Sequence, residues 1–181
     1  MKKDIQKEVH ADQGAGGGSL AGYEYQIDVS AWLALDLLLG SKQARQLILE
    51  PATQEDLETE LEEFEPGVIA GSAPVASYKL VVQAKLRTGD AWTVANIKAL
   101  LRHGKRRTSV RERLKDPSVH YLLVTSAALN GGTKNLQVAQ VGVWPKASKM
   151  PSAIKNALLP GSSGRINAPA LWTQSSNGWF R

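Results

Sequence analysis

The stretch YKLVVQAKLRTGDAW, residues 78–92, decides how this chain folds. Its middle, Leu80, Val81 and Val82, is apolar and largely β-branched, the composition of a strand covered on both faces of a sheet. The run then ends in Gln83 and Lys85. Side chains two apart on a strand share a face, so an amide and an ammonium are directed into the same space. Lysines at strand ends commonly just reach solvent, and that is one explanation of the pair. The other is a site.

Downstream, residues 92–115 read as helix, either continuous or broken near Gly104, and Asp116-Pro117 stops it. VHYLLVTS, residues 119–126, is a second interior strand. Strand, helix and strand form a βαβ unit, with a parallel pair and a right-handed crossover. Upstream, QLILEPAT (46–53) reads as a strand, followed by turn residues Pro51 to Gln54. EDLETELEEF (55–64) alternates, with Leu57 and Leu61 as its apolar members, but its Glu and Leu content suits a helix equally, and both remain open. PGVIAGSAP (66–74) is a loop or hairpin tip. A first helix runs from Gly22 to Leu39 on the stripe Tyr25, Val29, Trp32, Leu33, Leu35, Leu37 and Leu38, with Gly40 as its C-cap. TKNLQVAQ (133–140) and SAIKNALL (152–159) are short helical segments, and GRINAPALWT (164–173) is a final strand. The expectation is α/β, a mixed sheet flanked by helices. One domain spans residues 20–181 behind a flexible segment 1–19 ending in GAGGGS, where no GK[ST] follows to make a phosphate loop.

With 181 residues, 43% of them hydrophobic, the chain suffices for one substantial core. The absence of cysteine excludes disulfides, thiolate zinc sites and thiol catalysis, and fits a reducing cytoplasm. The N-terminus lacks the apolar core of a signal peptide, and WLALDLLL (32–39) is too short to span a bilayer and contains Asp36. A net charge of +5 favours a polyanionic partner. Charge is also segregated: Glu50, Glu55, Asp56, Glu58, Glu60, Glu62, Glu63 and Glu65 form an acidic run, whereas Lys98, Arg102, Lys105, Arg106, Arg107, Arg111, Arg113 and Lys115 form a basic one interrupted by Glu112. Either run alone is an ordinary solvated face. His10, His103 and His120 make no zinc site, Ser126 has no nucleophile elbow around it, and the tryptophans at 32, 92, 144, 172 and 179 read as core or interface anchors.

A lysine beside an oxygen acceptor at a strand end, facing an acidic stretch, meets the needs of a metal-dependent phosphodiesterase. Magnesium takes oxygen ligands and keeps several waters. Gln83 has a carbonyl oxygen to offer, and Lys85, which cannot ligate, would position or deprotonate water or offset charge on phosphate.

Together, GYEYQ (22–26) on a first helix, LILEPATQEDLE (47–58), VVQAK (81–85), a following helix and YLLVTS (121–126) resemble the PD-(D/E)XK nuclease superfamily. More narrowly they resemble the double-stranded-DNA endonuclease domain at the N-terminus of bacterial anti-phage effectors, including those of CBASS systems and some STAND NTPases, in which glutamine replaces the acid of the E-x-K pair. The resemblance covers residues 20 to 172. It implies a restriction-endonuclease-like fold, Asp56 as principal metal ligand, Gln83 as second ligand position and Lys85 as catalytic lysine. It also brings Glu24 or Gln26 near the metal, with Glu50 a further acidic position; Glu58 shares a strand face with Asp56. The metal is magnesium or manganese. Lys98, Arg102, Lys105, Arg106, Arg107, Arg111 and Arg113 would then neutralise phosphates of double-stranded DNA, which positions the duplex without specifying sequence.

The sequence therefore leads to the expectation of a cytoplasmic, metal-dependent endonuclease of double-stranded DNA serving anti-phage defence. SSNGWFR (175–181) shows no terminating pattern, which fits one domain of a longer effector controlled by a regulatory or sensor domain in cis or by self-assembly. A catalytically inactive DNA-binding or oligomerisation module of the same fold is the alternative, and an RNA-cleaving enzyme is a third possibility.

Overall fold

The computed structural model describes residues 15–50, 56–63, 76–102, 109–159 and 167–173. Among these, five strands form one mixed sheet in the order β1-β2-β3-β4-β5: β1 Ala44–Leu49, β2 Leu57–Glu63, β3 Ala76–Lys85, β4 Val119–Thr125 and β5 Ala170–Thr173. The first three are antiparallel neighbours, and β3, β4 and β5 run parallel. The parallel pair of β3 and β4 is the one expected from residues 78–126.

Alternation along β3 divides the molecule into two layers. Leu80, Val82 and Ala84 face one core with Leu122 and Val124 of β4, under Tyr25, Val29, Leu33 and Leu37 of the N-terminal helix. Val81 faces the other core with Tyr121 and Leu123, under Ile97, Leu101, Leu114, Ile154 and Leu158. Because both faces are covered, β4 is buried almost throughout, as its apolar sequence requires.

β2 settles the choice left open for residues 55–64. Leu57, Thr59 and Leu61 are buried, and this period of two is satisfied by ladders to β1 on one side and β3 on the other. Thr59 adds a hydroxyl hydrogen bond to the Gln46 carbonyl at 2.6 Å. Pairing on both edges outweighs the local helix propensity of glutamate.

The first helix, α1, spans Ala15–Ala34, and a wider π turn, Leu35–Gly40, ends it with the Ser41 N–H on the Asp36 carbonyl at 2.7 Å. The helix therefore begins inside the GAGGGS stretch expected to be flexible. Extending an existing helix adds one hydrogen bond per residue without a new nucleus, which offsets the roughly 1 kcal/mol that each glycine costs. Residues 92–115 are broken rather than continuous: α2 is Val94–Arg102, α3 is Val110–Arg113, and Ser109, extended at φ −63° and ψ 145°, caps α3 by accepting from the Glu112 N–H. α4, Ser152–Leu158, matches the expected helix there, and residues 131–136 form a 3₁₀ turn. The expectations for residues 1–14, Pro51 to Glu55, the 66–74 tip, Gly164 to Ile166 and the last eight residues lie outside the described residues. Among the described residues, no helix is long and apolar enough to cross a membrane.

Candidate functional site

β2 starts at Leu57, opposite Val82, so β3 outruns it by three residues that carry the Gln83-Ala84-Lys85 sequence. Ala84 then has no β2 backbone to bond, and the side chain of Asp56 takes that place: its Oδ2 accepts from the Ala84 N–H at 2.5 Å, while its own N–H donates to the Val82 carbonyl at 3.1 Å. The aspartate is thus fixed to the backbone of the residue between Gln83 and Lys85. Burial pushes the Asp56 carboxyl above its ordinary range; the Ala84 N–H and the Lys85 ammonium pull it back, and Glu50 adds to the rise. Lys85 and Glu50 are therefore both within electrostatic reach of Asp56.

Two cavities flank this strand end on opposite faces of the sheet. On the α1 side, a cavity of about 230 Å³ is lined by Tyr23, Gln26, Ile27, Ser30, Leu49, Glu50 and Asp56. Gln26 thus lies with Asp56, whereas Glu24 is exposed and does not line the cavity. Of the two helix residues expected near the site, the geometry selects Gln26. Glu50 holds a left-handed backbone at φ 47°, uncommon for a side chain of its type, and its N–H donates to the Asp56 carbonyl at 3.1 Å. That conformation is where β1 turns toward Asp56.

On the α2 side, an open groove of about 390 Å³ is lined by Gln83, Lys85, Arg87, Trp92, Asn96, Ala99 and Leu100. Gln83 and Lys85 do share one face, as their spacing requires. Gln83 Oε1 accepts from the Tyr121 hydroxyl at 2.7 Å, which leaves its second lone pair. Asp56, Gln26 and Glu50 line a different cavity from Gln83 and Lys85, with Asp56 on the boundary.

Glu58 is committed elsewhere. The residue is 8% exposed, and its carboxylate pairs with Lys79 at 2.7 Å and with Arg113 at 2.5 Å. Burial raises its carboxyl, but the hydrogen bonds from Lys79 and Arg113 outweigh that and hold it below its ordinary value. Glu58 therefore does not share a face with Asp56 as expected, because Asp56 precedes β2 and lines the cavity on the α1 side, while Arg113, expected to meet phosphate, is turned inward to Glu58 on the α3 side. Of the other basic residues, Arg102 is exposed and Lys98 and Arg111 are half-buried; Lys105, Arg106 and Arg107 lie outside the described residues. His120 packs as a core side chain, 4.5 Å from the ring of Trp144 and 4.7 Å from that of Tyr78.

Sequence reasoning missed Arg87 and Asn96. Arg87 follows Lys85 by two residues, and its backbone is clamped by Ser126, whose hydroxyl accepts from the Arg87 N–H at 2.9 Å and donates to its carbonyl at 3.1 Å. Its guanidinium lies 4.8 Å from the ring centre of Trp92. Trp92 is itself held by its indole N–H on Thr125 Oγ1 at 2.8 Å, and Thr125 donates to the Lys85 carbonyl at 2.9 Å. The i, i+2 spacing of Lys85 and Arg87 was a legible signal; the tryptophan beneath was not.

The chain matches no known family model, no curated protein and no solved structure.

Proposed function

We propose that this chain is a metal-dependent endonuclease that hydrolyses phosphodiester bonds of double-stranded DNA with little sequence preference, acting in the cytoplasm as an effector of anti-phage defence. The observation that carries this reading is the Asp56 carboxylate bonded to the Ala84 amide, inside the Gln83-Ala84-Lys85 sequence. The order helix, three antiparallel strands, helix, parallel strand agrees with the nuclease resemblance and with a restriction-endonuclease-like arrangement, and so supports it.

The donor set fits a hard cation. Asp56 Oδ1, Glu50 and the Gln26 carbonyl are oxygen donors around one cavity, and the burial that raises the Asp56 carboxyl is a cost that a cation beside it would offset. Among the described residues, no group of three His, Asp or Glu side chains gathers to hold an ion, so the set is two carboxylates completed by amides and water, which suits magnesium or manganese. Asp56 and Glu50 would hold the ion and Gln26 would complete or orient its shell, whereas Gln83, expected as the second ligand, lines the groove on the opposite face with Lys85. When bound, the ion supplies Lewis acidity toward phosphate and water. Lys85, without a carboxylate at ion-pairing distance among the described residues, offsets negative charge on the phosphate and orients the attacking water. Lys98, Arg102 and Arg111 contact flanking phosphates.

A catalytically silent DNA-binding or oligomerisation module is the second reading, favoured by the Tyr121 hydroxyl already on the Gln83 carbonyl. Plasmid cleavage with magnesium or manganese over a range of protein concentrations separates the two. The wild type is expected to nick or degrade DNA, with activity rising more steeply than concentration if assembly controls it. Lys85→Ala and Asp56→Ala are expected to bind DNA but to lose cleavage by about a hundredfold or more. Absence of cutting at every concentration, with equal binding by all three proteins, would leave the binding module.

A further inference from the structure

The groove on the α2 face carries more than a phosphodiesterase centre needs. Lys85 and Arg87 place two cations on one rim, and neither has an ion-pair partner among the described residues. Arg87 is also anchored, with its backbone on Ser126 and its guanidinium over Trp92. Across the groove stand Ala99 and Leu100 of α2, an apolar wall. Beside them is Asn96, whose Oδ1 is consumed by the Thr93 N–H at 3.1 Å and the Thr93 hydroxyl at 2.8 Å. With its oxygen thus fixed, the Asn96 amide NH₂ is oriented as a donor, and it has no acceptor among the described residues.

We propose that this groove is a subsite for a single deoxynucleotide drawn out of the duplex stack. The phosphate lies on Lys85 and Arg87, the base lies against Ala99 and Leu100, and an acceptor on the base edge meets the Asn96 amide. The volume of about 390 Å³ lies at the small end of the roughly 300–1,000 Å³ typical of small-molecule sites. Two cations facing an apolar wall are complementary to a ligand with an anionic end and a flat apolar body. A duplex phosphate alone would use the cations and leave the apolar wall and the Asn96 NH₂ without a ligand contact. Drawing a nucleotide out of the stack costs least where it is mispaired or at a strand end, so the substrate class is a duplex bearing an unpaired or frayed nucleotide.

The inference deepens the nuclease reading but is testable apart from it, because mononucleotide binding needs neither metal nor turnover. Deoxyadenosine 5′-monophosphate, inorganic phosphate and deoxyadenosine are titrated in EDTA by calorimetry into the wild type, Arg87→Gln and Ala99→Leu. The mononucleotide is expected to bind more tightly than either fragment. Arg87→Gln should weaken it about tenfold through loss of a charge-assisted contact. Ala99→Leu, an exposed helix position where leucine fills the groove, should block the mononucleotide and spare phosphate. Phosphate binding as tightly as the mononucleotide, no mononucleotide binding to the wild type, or affinity unchanged in both variants would overturn the subsite. If Arg87→Gln does not fold, Ala99→Leu alone decides. DNA cleavage without mononucleotide binding removes the subsite and keeps the nuclease; the converse result keeps the subsite and removes the nuclease.

Discussion

Asp56 is held as a carboxylate in a place that disfavours one. Its folded carboxyl lies above the unfolded value of 3.8, so between the two values the folded state binds more protons than the unfolded state. Stability therefore falls as pH rises through that window, and in metal-free protein at neutral pH the ionised group is a cost. Asp56→Asn, whose carbonyl still accepts from the Ala84 N–H, is expected to raise the thermal midpoint in EDTA at neutral pH, with the gain vanishing in acid. Manganese or calcium should reverse the order, since a ligand at a hundred times its Kd stabilises the wild type by about 2.7 kcal/mol and leaves the asparagine variant unmoved. Thermal scans across pH, with and without the ion, check both signs. The choice between Glu24 and Gln26 was not legible in the sequence. Both flank the stripe through Tyr25 and Val29, about 100° to either side, and only the position of the helix over the strand end decides which meets Asp56.

Among the elements, α3 is tied to the sheet by charge as well as by packing. Glu58 projects from β2 toward α3, where Arg113 closes over it, its side chain 12% exposed; Lys79 reaches the same carboxylate from β3 with its side chain 48% exposed. The two partners are therefore unequal. Arg113→Ala uncovers a buried carboxylate and removes its better-shielded partner, and is expected to cost about 2 kcal/mol. Lys79→Ala removes a solvent-screened partner and should cost less than about 1 kcal/mol. Urea unfolding of both variants measures the difference, and equal losses would show that the guanidinium is not the main partner. Sequence hid this network because an alternating run of glutamates reads as a wetted strand face or a solvated helix, and nothing local announces that one of them is roofed by a helix from 55 residues downstream. β3 and β4 were legible for the opposite reason. Strands covered on both faces have unbroken apolar runs, and Leu80 to Val82 and Tyr121 to Val124 need no partner to be recognised.

At the scale of the whole molecule, the +5 charge favours a polyanionic partner, and the proposed binding of DNA is testable on α2. Arg102 is exposed, and Arg102→Ala is expected to weaken binding uniformly across sequences and to lower the salt slope by about one unit. Filter binding at several salt concentrations with two unrelated duplexes checks this, and a loss confined to one duplex would contradict it. The α/β order and the parallel pair were legible in the sequence. The two-sided strand end was not, because which face each polar residue serves depends on where β2 stops against β3. The same ladder has a practical consequence at its other end. β2 and β3 pair from Leu57 with Val82 back to Glu63 with Ala76, so Ala76 and its partner Glu63 lie about 23 Å from Gln83 along the ladder, at roughly 3.3 Å per residue. A fluorophore, affinity tag or light-responsive module spliced between Glu63 and Ala76 would join the sheet at the end remote from Gln83 and Asp56, a handle by which the protein can be tethered or watched without touching the candidate site.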